Sequence, residues 1–272
     1  MAPVTLSLDG KVAIVTGSGR ENGIGAATAL NLARNGARVA INYVSDASAA
    51  RAAKVAANIE AQAGGARVLV VQADVSTAEG AAKLVAETLA GFNTDKIDIL
   101  SSPPLNNAGS APSMGTLLLD LTPTEVERAF ALNTFGTLYA TQAAARHMPA
   151  GGRIVNVGSV VSRIHNMPGV GLYGASKAAQ EYLTAALAAE LGPKQGITVN
   201  TVAPGPTRTD AESWFPDGEL KEEVGRKLAI GARLGRASGE AEEVADAVLL
   251  VVSDAARWIT GQYIAASGGI TA

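Results

Sequence analysis

The sequence predicts a doubly wound α/β fold, and three observations support this prediction. Short apolar runs alternate along the chain with segments whose apolar residues recur at helical spacing. The runs are apolar throughout, which is typical of strands covered by helices on both faces. A glycine-rich turn separates the first run from the first helical segment. Together these features indicate a single-domain Rossmann fold with a central parallel sheet of about seven strands, wound right-handed.

The predicted strands and helices follow one another in pairs. The first pair is a strand at residues 12–16 and a helix at 24–35 that Gly36 closes. The next pairs are 38–42 with 48–63, 67–72 with 78–92, and 97–100 with a long helix. Thr122 and Glu125 predict the start of that helix, because they form a capping box around a proline at the first helical position. Further strands at 153–157 and 197–202 flank a helix from about 173 to 191.

Composition narrows the classes of protein that the chain can be. Its 272 residues are 47% hydrophobic and contain no evident linker, so one domain over residues 1–272, with an N-terminal tail at 1–8, is expected. A net charge of -3 without a basic stripe argues against a nucleic-acid partner. No targeting segment or spanning stretch is evident, so we expect a cytoplasmic protein with no membrane partner. No cysteine and only two histidines argue against disulfides, thiol catalysis and a bound metal.

A tyrosine and a lysine at helical spacing are the first candidates for chemistry. Tyr173 and Lys177 lie four residues apart, which places both side chains on one face of the predicted helix. A nearby ammonium favours the phenolate, so we expect Lys177 to lower the pKa of Tyr173 from its usual value near ~10. Ser159 follows the strand at 153–157, at the edge of the sheet where ligands bind. Taken alone, the pair is weak evidence for catalysis, because such pairs arise by chance on many solvated helix faces.

The glycine-rich turn predicts a dinucleotide site. It runs from Gly17 to Gly25, between the first strand and the first helix, where the backbone can approach a pyrophosphate and free N–H groups can bind it. Such turns also serve plain geometry. The second strand ends at Asn42 and Tyr43 without the acidic residue that would bind a ribose 2′-hydroxyl, which favours a 2′-phosphate. Arg20 is the expected partner of that phosphate, although it could be a solvated loop residue.

The ordered motifs resemble those of the short-chain dehydrogenase/reductase family, in its Tyr-x-x-x-Lys subtype, over nearly the whole chain. The matching pieces are Thr16-Gly17 with Gly23-Ile24-Gly25, Asp74-Val75, Asn106-Asn107-Ala108-Gly109, Asn133, Ser159, Tyr173 with Lys177, and Pro204-Gly205. The resemblance implies a nicotinamide-dependent oxidoreductase that acts on a small carbonyl or alcohol substrate. It also implies a homo-oligomer, either a tetramer or a dimer.

The resemblance implies a catalytic set of four residues. Tyr173 would donate a proton to the substrate carbonyl oxygen, and Ser159 would hydrogen-bond the same oxygen. Lys177 would lower the pKa of Tyr173 and contact the nicotinamide ribose, and Asn133 would hold a water that links Lys177 to solvent. Simpler interpretations remain open, since Ser159 can form a strand-end turn and Asn133 can be a polar residue bonded to the backbone of its own helix.

The resemblance also implies the cofactor contacts, and it favours NADP(H). The expected residues are Gly17, Ser18, Arg20, Gly23, Ile24, Gly25, Asn42, Tyr43, Asp74, Val75, Asn107, Ala108, Gly109, Tyr173, Lys177, Pro204, Gly205, Thr207 and Thr209. Asp74 can instead be a turn or cap residue. The turn and the end of the second strand are similar to those of NADPH-using hydroxynaphthalene and 3-oxoacyl carrier-protein reductases. NAD(H) remains possible, because a carboxylate at Glu21 fits poorly beside a phosphate.

Two departures from the family pattern bear on function. Glu21 and Asn22 lengthen the glycine-rich turn, and residues 101–104 come between the fourth strand and the Asn106-Asn107-Ala108-Gly109 motif. Prolines are unsuited to a central strand, so this strand is expected to stop near Leu100, with the insertion looping out, unless the four residues do not belong to the working protein. Residues 206–237 are expected to cover the substrate, with Trp214 and Phe215 either lining the pocket or packing the loop.

The leading hypothesis is an NADPH-dependent reductase that converts a ketone or 3-oxoacyl-type carbonyl into a secondary alcohol. One alternative is an NAD-dependent secondary alcohol dehydrogenase. Another is a dinucleotide-binding protein whose turnover is impaired by the insertion at 101–104. Enoyl reduction is disfavoured, because relatives that perform it space the tyrosine and lysine more widely.

Overall fold

A seven-stranded parallel sheet forms the centre of the protein. The computed structural model describes residues 5–102, 114–165, 167–209, 226, 230–236 and 238–271. The strands are β1 Val12–Val15, β2 Arg38–Tyr43, β3 Val68–Gln72, β4 Ile99–Ser102, β5 Arg153–Val157, β6 Thr198–Pro204, β7 Thr207–Arg208, β8 Gly239–Glu240 and β9 Tyr263–Ala266. The central sheet has the order β3-β2-β1-β4-β5-β6-β9, and β7 pairs with β8 separately. All neighbouring strands run parallel, which confirms the predicted doubly wound fold.

Helices cover both faces of this sheet. They are α1 Ile24–Arg34, α2 Ala49–Gln62, α3 Ala78–Phe92, α4 Pro123–Phe130, α5 Gly136–Ala145, α6 Gly171–Gln195 and α7 Ala241–Val252. Apolar residues of α1, α2 and α7 pack on one face of the strands, and those of α3, α5 and α6 pack on the other. In β1, for example, Ala13 and Val15 face the first group while Val12 and Ile14 face the second. This burial on both faces explains why the strands are mostly apolar on both sides.

The long helix predicted after residue 122 is divided. Its start is as expected, since Thr122 Oγ1 accepts a hydrogen bond from the Glu125 N–H at 3.3 Å and Glu125 Oε2 accepts one from the Thr122 N–H at 2.8 Å. A wider π turn, Ala131–Phe135, then separates α4 from α5. Single π turns inside helices are frequent at functional sites. This one carries Asn133, one of the predicted catalytic residues.

The prediction that the fourth strand stops near Leu100 is wrong. β4 continues to Ser102, and Ser101 pairs with both Val15 and Val155 at the centre of the sheet. The first two residues of the insertion therefore extend a strand, because serine retains the backbone N–H that proline lacks. Pro103 and Pro104, which motivated the prediction, lie outside the described residues. The hydroxyls of Ser101 and Ser102 are buried without a hydrogen-bond partner.

In the described part of the chain, no helix combines the length and the apolar character needed to cross a membrane. The same residues contain no group of His, Asp and Glu side chains suited to a metal ion.

Candidate active site

Hydrogen bonds to the end of β2 hold the glycine-rich turn in place. The Gly17 N–H donates to Asn42 Oδ1 at 3.3 Å, and the Ser18 N–H donates to the Asn42 carbonyl at 3.1 Å. Ser18 Oγ donates to the Val15 carbonyl at 2.7 Å and accepts from the Asn42 N–H at 3.0 Å. Ser18 is fully buried, so its side chain shapes the turn and only its backbone faces the loop.

The turn has the shape that a pyrophosphate requires. Gly17 has φ +59°, and a Cβ on Gly25 would lie 2.8 Å from the Gly17 carbonyl oxygen, so both positions exclude larger residues. Gly23 is the N-cap of α1, with no side-chain cap and no acidic residue in the first helical turn. The first N–H groups of α1, from Ile24 onward, are therefore available to a bound anion. Arg20 lies partly buried in the same turn.

Asn42 supports the site from inside the protein. It is fully buried, and its Nδ2 donates to the carbonyls of Ala73 at 2.9 Å and Val71 at 3.3 Å, beside its contact with Gly17. The Asn42 side chain is thus bonded inside the protein, and its contact with the cofactor stays a prediction. Tyr43 ends β2 partly exposed, and a Cβ on Gly19 would come within 2.9 Å of its Cβ.

Two of the predicted cofactor contacts, Asp74 and Val75, follow the carboxyl end of β3. Asp74 is exposed there, and its Oδ1 accepts hydrogen bonds from the Ser76 N–H at 3.0 Å and Ser76 Oγ at 2.7 Å. Asp74 therefore closes a turn, as its alternative interpretation expects, while remaining open to a ligand. Val75 is buried and leaves only its backbone for a contact. Asn107, Ala108 and Gly109 lie outside the described residues.

The loop after β6 lies at the same edge of the sheet. Pro204 ends β6, and the Gly205 N–H donates to the Ala266 carbonyl at 3.0 Å. Thr207 Oγ1 donates to the Gly205 carbonyl at 2.9 Å. Thr209 is partly buried and is the last described residue before the segment of residues 210–225, which contains Trp214 and Phe215.

Ser159 and Tyr173 meet at the carboxyl end of β5. Ser159 Oγ accepts a hydrogen bond from the Val161 N–H at 3.2 Å, and its side chain is also hydrogen-bonded to Tyr173. Tyr173 is only partly exposed, and burial raises its pKa to about 12 although the bond with Ser159 acts in the opposite direction. The expectation of a lowered pKa is wrong for the protein without ligand, because desolvation of the phenolate dominates.

Lys177 is completely buried. Its Nζ donates to the Val157 carbonyl at 2.8 Å and to Gln180 Oε1 at 3.2 Å, and neither bond goes to Tyr173. Burial lowers the pKa of Lys177 to about 7, partly offset by the negative charge of Glu181. The ammonium is therefore close to losing its proton at neutral pH, which explains why it does little to stabilise a phenolate at Tyr173.

Asn133 joins the same group through the π turn. Its Nδ2 donates to Ser176 Oγ at 3.1 Å, and Ser176 Oγ donates to the Tyr173 carbonyl at 2.8 Å. Thr134 Oγ1 donates to the Ser176 carbonyl at 2.9 Å. Asn133 thus holds the N-terminal part of α6, which carries Tyr173.

Sequence reasoning missed two side chains of this site. Gln180 Nε2 donates to Thr137 Oγ1 at 2.7 Å, and Thr137 Oγ1 donates to the Asn133 carbonyl at 3.2 Å. Together with the bond from Lys177 to Gln180, these bonds connect Lys177 to Asn133 through side chains. The available signals were the three-residue spacing of Lys177 and Gln180 and the four-residue spacing of Asn133 and Thr137, both of which place pairs on one helical face.

A doubly wound parallel sheet with a glycine-rich turn between its first strand and first helix is typical of a dinucleotide-binding protein, and Ser159, Tyr173 and Lys177 gather at the carboxyl end of β5. Comparison with known proteins leads to a particular family. The family model described as enoyl-(acyl carrier protein) reductase matches residues 17–271. Versicolorin reductase 1 of Aspergillus parasiticus is 40% identical over 269 residues, which cover 96% of this chain and 97% of that protein.

Two further proteins resemble the chain over almost their whole lengths. A probable tetrahydroxynaphthalene reductase of Zymoseptoria tritici is 37% identical over 271 residues, covering 97% of this chain and 96% of that protein. A short-chain dehydrogenase of Burkholderia cenocepacia, solved in complex with NADP, superposes with a TM-score of 0.82 and 39% identity over 97% of this chain and 99% of that one. The chain belongs to the short-chain dehydrogenase/reductase family of NAD(P)-dependent oxidoreductases, as the motifs indicate.

Proposed function

We propose that this protein is an NADPH-dependent reductase that converts a ketone into a secondary alcohol, with Tyr173 as the proton donor. The observation that carries the proposal is the Tyr173 hydroxyl, hydrogen-bonded to Ser159 at the carboxyl edge of the sheet. With its pKa raised to about 12, Tyr173 carries its proton at neutral pH. That is the form needed for reduction, whereas alcohol oxidation needs a group that accepts a proton.

The protonated phenol is suited to the charge that develops in the reaction. As a carbonyl is reduced, its oxygen becomes an alkoxide, a much stronger base than a phenolate, so transfer of the Tyr173 proton to that oxygen is downhill. Ser159 Oγ can donate a second hydrogen bond to the same oxygen. Lys177, held at Val157, supplies a positive charge below about pH 7, which favours the phenolate left after proton transfer.

The residues present fit a bound dinucleotide. The uncapped start of α1 and the glycines at 17, 23 and 25 leave space and N–H donors for a pyrophosphate. Arg20 would bind a ribose 2′-phosphate. Positions 42 and 43 carry an asparagine and a tyrosine, so no carboxylate there would repel that phosphate. A relative at 39% identity binds NADP. The cofactor supplies the hydride that reduces the carbonyl carbon.

The relatives narrow the substrates worth testing. Two of them are named for the reduction of versicolorin and tetrahydroxynaphthalene. We propose an aromatic or 3-oxoacyl ketone, with reduction at the carbonyl rather than at a carbon–carbon double bond. The tight Tyr173 to Lys177 spacing supports this assignment over enoyl reduction. The pairing of Ser101 and Ser102 with neighbouring strands supports an active enzyme, since the first two residues of the insertion continue the sheet.

The test begins with fluorescence titration of NADPH and NADH, followed by turnover assays with tetrahydroxynaphthalene, a 3-oxoacyl thioester and a simple secondary alcohol. We expect tighter binding of NADPH than of NADH, and oxidation of NADPH by tetrahydroxynaphthalene or by the 3-oxoacyl thioester. Tyr173→Phe should lower kcat by at least about 10³-fold with cofactor affinity retained. Tyr182→Phe is the matched control, because Tyr182 lies on α6 but is 78% exposed. Equal activity of the Tyr173→Phe variant and the native protein would refute the assignment.

A further inference from the structure

The buried lysine has a neighbour with a defined orientation. Gln180 is 1% exposed, lies one helical turn after Lys177, and is hydrogen-bonded at both ends of its amide. An ammonium has three donors and no acceptor, so the Gln180 oxygen must face Lys177 and the NH₂ group must face Thr137. The Thr137 hydroxyl accepts from Gln180 and donates onward to the Asn133 carbonyl. With Lys177 protonated, each group in this chain has a single direction of donation.

We propose that Gln180 and Thr137 are positioning residues that hold the Lys177 ammonium against the end of β5 and connect it to the backbone of the π turn. The inference rests on the proposed function, because it assigns these residues to the Lys177 of that site. Lysine has a long flexible side chain, and the two acceptors Val157 O and Gln180 Oε1 define where its charge lies. The charge is then already in place when a cofactor arrives, which reduces the ordering cost of binding.

The connection to Asn133 has a second consequence. The Asn133 carbonyl lies in the π turn, while the Asn133 amide holds Ser176 in the first half of α6. Thr137 therefore ties the lysine to the same turn that positions the helix of Tyr173. Displacement of the π turn would move the acceptor of Lys177 and the helix of Tyr173 together.

Gln180 also favours the charged form of the lysine. Its amide oxygen accepts a stronger hydrogen bond from the charged ammonium than from the neutral amine. This difference raises the pKa of Lys177 and so opposes the effect of burial. Tyr173 and Glu181, on the same helix, are the titratable groups that flank Lys177 in sequence, and Arg163 pairs with Glu181 at 3.3 Å. The remaining ionisable residues of the elements packed against α6 are Glu125, Glu127 and Arg128 of α4, Tyr139 of α5 and Arg153 of β5.

The test measures the titration of Lys177 directly in the protein without ligands. Protein labelled with ¹³C at the lysine ε-carbon is titrated by NMR, and Lys177→Met identifies the resonance. We expect a midpoint near pH 7 in the native protein. Gln180→Met, which removes the acceptor while keeping the length, should lower the midpoint by about one pH unit. Gln180→Glu, which supplies a charged acceptor, should raise it.

Thr137→Val tests the second link and has a matched control in Thr88→Val. Thr88 Oγ1 is also buried and donates to the carbonyl four residues earlier, that of Leu84 at 2.7 Å, but it lies on α3. Thr137→Val should lower the Lys177 midpoint and weaken NADPH binding, whereas Thr88→Val should change neither. A purely structural role would lower stability in both variants without moving the titration.

Identical Lys177 midpoints in the native protein, Gln180→Met and Gln180→Glu would overturn the inference. If Gln180→Met does not fold, the direction of the shift in the nearly isosteric Gln180→Glu decides the question. The titration needs neither cofactor nor turnover, so its outcome is separate from that of the proposed function. If the Gln180 variants shift the Lys177 titration but the native protein has no reductase activity, the positioning role is supported and the reductase is refuted. If the native protein is active but the variants leave the titration unshifted, the reductase is supported and the positioning role is refuted.

Discussion

Replacing Lys177 should make the stability of the fold less dependent on pH. Burial lowers the pKa of Lys177 from 10.5 to about 7. Below pH 7 both the folded and the unfolded protein carry the proton, and above 10.5 neither does. Between these values only the unfolded state binds it, so the free energy of unfolding rises with pH across this window.

The magnitude follows from the size of the pKa change. One pKa unit corresponds to about 1.4 kcal/mol, so the native protein should gain roughly 3–4 kcal/mol of unfolding free energy between pH 7 and pH 10, relative to Lys177→Met. The variant also leaves the Val157 carbonyl without its donor, at a cost of about 1–3 kcal/mol that does not vary with pH. The pH dependence therefore isolates the buried charge from the lost hydrogen bond.

Urea unfolding of both proteins at five pH values from 6 to 10, at one protein concentration, measures this difference. Lys83→Met is the control, because the side chain of Lys83 is 52% exposed on α3. The difference in unfolding free energy between Lys83→Met and the native protein should stay nearly constant from pH 6 to pH 10. If the difference in unfolding free energy between Lys177→Met and the native protein also stays constant from pH 7 to pH 10, the reasoning is refuted.

Four further outcomes are expected. Ser159→Ala should lower kcat by about 10²-fold at unchanged NADPH affinity, and steady-state kinetics showing less than about a threefold loss would exclude Ser159 from charge stabilisation. Arg20→Ala should weaken NADPH binding by about tenfold and NADH binding by less than about twofold; equal losses in fluorescence titrations would refute the 2′-phosphate contact. Asp98→Ala should reduce the free energy of unfolding by about 2–3 kcal/mol, because the buried carboxylate accepts the Val12 N–H at 2.9 Å, and a calorimetric change below about 0.5 kcal/mol would contradict this. Ser101→Ala should stabilise the protein by about 1 kcal/mol in urea unfolding, since its hydroxyl has no partner; destabilisation would indicate a bond to buried water.

The sequence predicted most of the fold because local pattern and tertiary packing agree there. The strand predicted at 12–16 is Val12–Val15, and the helix predicted at 24–35 is Ile24–Arg34. The end of the fourth strand was misplaced because the prolines at 103 and 104 suggested an early stop, while the backbones of Ser101 and Ser102 pair with neighbouring strands. Backbone pairing does not depend on side-chain polarity, so two serines can continue a buried strand to Ser102.

The sequence predicted which residues form the candidate site better than it predicted the contacts between them. Ser159 and Tyr173 come together as expected, and Asn133 lies in the same group. The direction of the Tyr173 pKa was not predictable, since it depends on how completely the structure excludes water. The π turn was equally unpredictable, because it alters the hydrogen-bond register within Ala131–Phe135, where no glycine or proline interrupts the helical pattern.

The buried amide of Asn42 limits how cofactor preference can be redesigned. An aspartate at this position would bring a carboxylate against the carbonyl oxygens of Val71 and Ala73, which now receive N–H donors, and would loosen the turn through Gly17. Attempts to convert the protein to NADH use should therefore place the new acid at Tyr43, the neighbour whose Cβ borders the turn, and leave position 42 as asparagine. Asn42 thus braces the glycine-rich turn from inside the protein, and a redesign of cofactor preference at the end of β2 starts from the position beside it.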